Sequence, residues 1–123
     1  MPTNALNWFE IPVRDLGRAA AFYEKLLQTS LRRESMGPNT LAVFPYTEPG
    51  VGGCLIAGDG YAPGPGGAVV YLAAGDSIEA TLARLEAAGG SIATSRTQLP
   101  GDMGAFAHIL DSEGNRVGLH AAR

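Results

Sequence analysis

The sequence is poor in cysteine, in tryptophan and in charge of either sign: 123 residues include 1 Cys and 1 Trp, and charged residues make up 17%. The single cysteine, Cys54, cannot close an internal bridge, so a disulfide framework and a multi-cysteine zinc site are both excluded. Lys and Arg form no cluster, and nine basic against twelve acidic residues leave a net charge of -3, which argues against nucleic acid as a partner. No run approaches the ~18 consecutive apolar residues of a membrane span, and Met1-Pro2-Thr3-Asn4 lacks the basic and then apolar layout of a signal peptide. A cytoplasmic protein without a membrane partner is the expectation. What is plentiful is backbone punctuation, with 17 Gly and 8 Pro beside 46% hydrophobic residues. A chain this long buries roughly two-thirds of its unfolded surface, so one domain over 1–123 can form without staples.

Phe9, Ile11 and Val13 alternate with Trp8, Glu10 and Pro12, the period of a half-buried strand. Asp15 is placed to cap a helix in which Leu16, Ala19, Ala20, Phe22, Tyr23, Leu26 and Leu27 recur at helical spacing, ending near Gln28. Three short strands follow, around Leu31–Met36, Thr40–Tyr46 and Val51–Ala57, split by Gly37-Pro38-Asn39 and by 47–50. Twelve of the 25 Gly and Pro residues fall between Pro45 and Gly67. The segment 58–67 has almost nothing to pack and reads as a linker.

Beyond it the order repeats. Ala68–Ala74 is an apolar strand, Asp76 a helix cap, and Ile78, Leu82, Leu85 and Ala88 keep helical spacing up to the Gly89-Gly90 stop. Ser91–Gln98, Gly104–Leu110 and Arg116–His120 are the remaining strands, with 111–115 as the last hairpin turn. The fold class is therefore α+β, as two βαβββ modules of about 4–57 and 68–121.

Two stretches carry a resemblance: Phe9-Glu10-Ile11-Pro12-Val13-Arg14-Asp15-Leu16 with Ala21-Phe22-Tyr23, and Asp111-Ser112-Glu113-Gly114-Asn115-Arg116-Val117-Gly118-Leu119-His120. Together with the duplicated order, they make the chain similar to the vicinal oxygen chelate superfamily, which includes glyoxalase I, fosfomycin-resistance and bleomycin-binding proteins and extradiol dioxygenases. The resemblance implies a half-open barrel-like sheet with helices outside, a ligand cavity inside, and a homodimer. It says little about reaction, because this one fold hosts lyases, isomerases, transferases, dioxygenases and pure binders.

Metal-dependent members hold a divalent ion through His, Glu or Gln, whose nitrogen and oxygen donors leave a position open for substrate oxygens. Carried onto this chain, those ligand positions fall on Trp8, on Val69, on Gly118 and, in less certain register, near Cys54. None is a His or a carboxylate, so the expectation is a cavity without the usual metal and without a cofactor. Trp8, Cys54, Val69, Tyr71 and Gly118 are the candidate ligand-binding residues, with Tyr46 or Tyr61 as further aromatic walls.

Glu10 and His120 each lie two residues past a lost ligand position, on the same strand parity. They are the candidate catalytic pair, a carboxylate orienting an imidazole base, with a buried hydrogen-bonded pair as the alternative. His108 reads as a hydrogen-bonded strand residue and Cys54 as a small buried hydrophobe. Arg96 and Arg116 are either clamps for an acidic substrate or solvated strand residues. The expected function is metal-free binding of a small molecule. The alternatives are a glyoxalase-like lyase, isomerase or dioxygenase-related enzyme using a metal or the Glu10/His120 pair, and a partner-binding domain with a vestigial pocket.

Overall fold

A computed structural model describes residues 4–123. The chain runs β1 (Trp8–Pro12), α1 (Leu16–Leu27), β2 (Arg32–Met36), β3 (Asn39–Val43), β4 (Gly52–Ala57), β5 (Tyr71–Ala73), α2 (Ile78–Leu82), α3 (Leu85–Ala88), β6 (Ser91–Gln98), β7 (Ala105–Leu110) and β8 (Arg116–Ala121). The strands form two four-stranded sheets, ordered β1-β4-β3-β2 and β5-β8-β7-β6. In each sheet the first strand runs parallel to the last, β1 beside β4 and β5 beside β8, and every other pair is antiparallel.

Alternation decides what each face meets. Ile11, Val13 and Leu55 of the first sheet and Leu72, Ile109, Val117 and Leu119 of the second are buried in one cluster with Ala19, Phe22, Tyr23 and Leu26 of α1 and with Ile78 and Leu85. All three helices thus share a single core with one face of both sheets, and each large apolar side chain placed there contributes about 1.5–3 kcal/mol. Phe9 and Val70 pack at its margin. The opposite faces are left for other work.

α1 starts where the sequence places it, since the Asp15 carboxylate accepts from Arg18 N at 2.9 Å. The second helix departs from expectation twice. Its cap is Ser77, whose hydroxyl accepts from Ala80 N, while the Asp76 carbonyl is taken by Arg123 N at the chain end. The single expected helix is also two, because the chain turns at Ala83-Arg84, where the Arg84 guanidinium donates to Leu26 O at 2.9 Å and so closes the C-terminus of α1. The expected strand Ala68–Ala74 shortens to Tyr71–Ala73, although Gly118 N still bonds Val70 O and Ala74 N still bonds His120 O on either side of it.

The turn between β7 and β8 fastens the halves together. Asp111 Oδ1 accepts from Glu113 N and Asn115 N, and Gly114 takes φ 85°, a conformation that favours glycine. The turn then reaches across to the first half. Tyr23 Oη donates to Asp111 Oδ2 at 2.6 Å, Asn115 Nδ2 donates to Pro12 O at 2.8 Å, and Glu113 Oε1 accepts from the N–H groups of Arg14 and Asp15 at the start of α1. Arg18 completes the clamp with a two-point contact on Glu113 at 2.7 and 2.9 Å. These donors hold the Glu113 carboxyl down at about 2, with Arg18 the strongest contributor.

Candidate functional site

The two open faces can be laid residue against residue. Glu10 is the register partner of Cys54, and Tyr71 of Gly118; the following rungs, Val13 N to Ile56 O and Ala74 N to His120 O, match as well. Glu10 therefore corresponds to Tyr71, Cys54 to Gly118, Ile56 to His120 and, one rung back, Trp8 to Val69. The four positions to which the resemblance assigns metal ligands form two equivalent pairs, Trp8 with Val69 and Cys54 with Gly118.

On the first face these positions suit packing. Leu41, Val43, Cys54 and Ile56 form a buried apolar cluster, and Tyr61 from the linker lies against it. Burial pushes the Cys54 thiol up to about 11; the Glu10 and Glu34 carboxylates push the same way, and the Trp8 indole opposes them. The sulfur is held as S–H, which is neither a nucleophile nor a metal ligand. Trp8 stands at the rim, 39% exposed, edge-on to Tyr46 at 6.1 Å. Gly52, opposite Trp8, leaves room for the Tyr46 ring.

The second face is polar and open. Tyr71 is 51% exposed, and its ring lies over Gly118, where any Cβ would collide with it. Tyr71 Oη is 2.6 Å from His108 Nε2, Arg116 Nε donates to His108 Nδ1 at 3.0 Å, and Arg116 Nη2 donates to Thr94 Oγ1 at 2.9 Å. Phe106 closes the aromatic side, 6.1 Å from Tyr71 and 5.5 Å from His108. Burial, and then the Arg116 charge, lower the His108 pKa from its ordinary value.

Glu10 and His120 are not joined within the chain, because they stand on different sheets. His120 Nε2 lies 2.6 Å from Met103 O, and Glu10 has no hydrogen bond or ion pair among the described residues. Glu10 does line a cleft of about 290 Å³ with Arg116, Asn115, Val70 and linker residues Ala62, Gly64 and Gly66. Among the described residues, Arg96 bonds Gln98 alone. Val69 precedes β5 and is half-buried.

The centrality of His108 was the main thing missed from sequence. Its parity with Phe106 and its place opposite Gly118 were readable in principle, but its contacts to Tyr71 and Arg116, 37 and 8 residues away, belong to the folded sheet.

A divalent ion does not fit the four inherited positions: an indole, a protonated thiol, a valine and a glycine under an aromatic ring offer no hard donor. Among the described residues, no three His, Cys, Asp or Glu side chains converge elsewhere either. Among the described residues, no helix is long and apolar enough to cross a membrane.

Residues 5–119 match the profile of the family described as Glyoxalase/Bleomycin resistance protein/Dioxygenase superfamily. Among solved structures, the chain is similar to an E144Q variant of glyoxalase I from Zea mays, with 26% identity and a TM-score of 0.71 over 95% of this chain and 46% of that one. It thus spans about half the length of the maize enzyme. A hypothetical protein from S. aureus, SA1046, superposes with a TM-score of 0.69 at 18% identity, over 98% of this chain and 95% of that one. A family enzyme from Burkholderia phytofirmans does so with a TM-score of 0.66 at 13% identity, covering 95% and 98% of the two chains. No curated protein matches.

Proposed function

Because the chain belongs to the glyoxalase, bleomycin-resistance and dioxygenase superfamily, that is, the vicinal oxygen chelate group, we propose that it binds a small molecule on the open face of its second sheet without the divalent metal usual to that group. The observation that carries this reading is the chemistry at Trp8, Cys54, Val69 and Gly118. Two of these residues have no donor atom in the side chain, one presents a π face and an N–H, and the last holds its sulfur as a thiol. The second face suits a ligand rather than an ion, since the Tyr71 and Phe106 rings with a few polar groups orient a planar, partly apolar molecule.

The binding unit in this reading is a homodimer. Each chain exposes Trp8 and Tyr46 on one face and Tyr71 and Met103 near the other, and a second copy would cover apolar surface that a monomer leaves in water. Any acid–base partnership of Glu10 with His120 would then be assembled between copies. Light scattering at tens of micromolar checks the dimer, and a 12.7 kDa particle would contradict it.

The metal-free reading is tested by melting the protein with and without EDTA, and by native mass spectrometry of freshly purified material. A metal bound at a hundredfold excess over Kd stabilises the fold by ~2.7 kcal/mol, so its removal would drop the melting temperature by several degrees. The expected result is an unchanged melt, with organic rather than metal adducts. A fall in EDTA that nickel, zinc or manganese restores would overturn the proposal.

A further inference from the structure

β1 and β5 are outer strands of their sheets and do not pair with each other. Gly118 N donates to Val70 O and Ala74 N to His120 O, so the rung between them turns the N–H and C=O of Leu72 toward β8 and those of Tyr71 and Ala73 toward the free edge. β1 follows the same rule, and Pro12, the counterpart of Ala73, faces outward; Asn115 Nδ2 donates to its carbonyl at 2.8 Å. Val51 stands as far before Cys54 as Asn115 before Gly118, which makes it the counterpart of Asn115, and a valine has no donor to offer. The bridge made at Pro12 is therefore missing at Ala73, whose N–H and C=O have no partner among the described residues. A cleft of about 420 Å³ lies there, lined by Phe9, Leu27, Phe44, Val51, Gly53 and Ala73. No residue of β8 lines it, so it is on the free side of β5. It has no charged residue in its walls, and Thr29 and Tyr71 supply its only side-chain polar atoms.

We infer that this cleft is a binding site for a neutral carboxamide or lactam on a flat apolar body, paired with the backbone of Ala73. The ligand N–H donates to Ala73 O, as Asn115 does to Pro12 O, and the ligand carbonyl accepts from Ala73 N, a donor that Pro12 lacks. The two backbone groups of one outward-facing strand residue lie side by side, which suits a cis-amide, whose N–H and C=O point the same way. The body of the ligand packs between Phe9, Phe44 and Leu27, in a cleft whose size is within the range of small-molecule sites. Gly53 shapes this wall, since a Cβ there would collide with the Phe9 ring. A carboxylate in place of the amide would meet no cation, and an unpaired charge beside apolar walls is disfavoured. The site borders the open face of the second sheet only through Tyr71, and it does not depend on the reading proposed for that face.

The test uses the intact protein with benzamide as probe, followed by NMR. Benzamide should shift the backbone amides of Leu72, Ala73, Gly52 and Gly53 saturably. N,N-dimethylbenzamide, which has no N–H, and benzoate, which is charged, should each bind about fivefold or more weakly, the worth of one hydrogen bond. Equal binding of benzamide and its dimethyl form, no saturable shift at about 50 mM, or shifts confined to Phe106 and His108 would overturn the site. Val51→Asn supplies from within the chain the carboxamide that Asn115 supplies at Pro12; it should raise the melting temperature and weaken benzamide about fivefold or more. Ala73→Pro, the residue that the first sheet carries at this rung, removes the edge N–H and should weaken benzamide to a similar degree. Benzamide binding unchanged in both variants would also overturn the assignment. The comparison of benzamide with its dimethyl form needs no variant, so it decides the matter even where a substitution prevents folding. A melt that depends on metal would fail the metal-free reading and leave the benzamide shifts in place, whereas absence of those shifts would fail this site alone.

Discussion

The first and second sheets share strand order, register and a common core, yet their outward faces have become opposites. Where the first carries Val43, Leu41 and Ile56, the second carries His108, Phe106 and His120 at matching rungs. The first face closes on itself: Cys54 is fully buried and Tyr61 covers the cluster around it. The second holds a chain of polar contacts from Tyr71 to Thr94 in the open. A duplicated fold fixes where side chains point, whereas the residues at those points decide whether a face stores stability or recognises a ligand. In this chain the first face is packed with apolar side chains and the second is left polar and open.

The largest expected effect concerns what joins the halves. Glu113→Gln removes the carboxylate that caps α1 and holds Arg18, and hydrogen bonds to a buried charge contribute about 1.5–3 kcal/mol. Denaturation by far-UV CD and by Trp8 fluorescence should shift together by that amount. Separate transitions for the two probes would mean that the sheets fold independently and that the contrast reflects two units, not one core.

Exchanging equivalent residues comes next. Gly118→Cys gives the second face the residue that the first has at the same rung, but the new side chain collides with the Tyr71 ring. Overpacking of this kind costs about 1–3 kcal/mol, and it should also break the contact between Tyr71 and His108, visible as a change in His108 tautomer signals. An unchanged melt would show that the Tyr71 ring moves freely and that the second face is less organised than its bonds imply.

The pH dependence should be milder. The Glu113 carboxyl lies at about 2 in the fold and near 4.5 when unfolded, so its contribution is complete above 4.5 and is lost as pH falls from there through 2. His108 works in the same direction, because its lowered pKa penalises protonation below its ordinary value of 6.5. Melting temperatures should be flat at neutral pH and decline toward acid, and the Glu113→Gln variant should decline less between pH 4.5 and 2.

The smallest expected signal is chemical. With its thiol near 11 and no exposure, Cys54 should resist iodoacetamide at pH 8 until the protein is unfolded. Rapid labelling of the native protein would show that the first face opens, which would erase its distinction from the second.

Much of this was legible in the sequence. The strand alternation from Trp8 to Val13, the Asp15 cap and the repeated order depend on neighbouring residues, so periodicity alone places them. Strand register transmits spacing faithfully, which is why Trp8 and Val69, and Cys54 and Gly118, occupy equivalent positions of the two sheets. The split of the second helix at Ala83-Arg84 was not legible, since it turns on an arginine reaching the end of α1, and neither was the short reach of β5 at a sheet edge. The turn from Asp111 to Asn115 was readable as a turn, but its grip on Tyr23, Arg18 and Pro12 required bringing together residues about a hundred positions apart.

By itself the sequence determined the α+β class and the duplicated order of elements, because residue type and local period suffice for each. Only the tertiary structure decided that Glu10 and His120 stand on separate sheets and that Tyr71, His108 and Arg116 meet. Hydrogen bonds across strands depend on which strands become neighbours, and that is set by burial of the whole core rather than by any one segment.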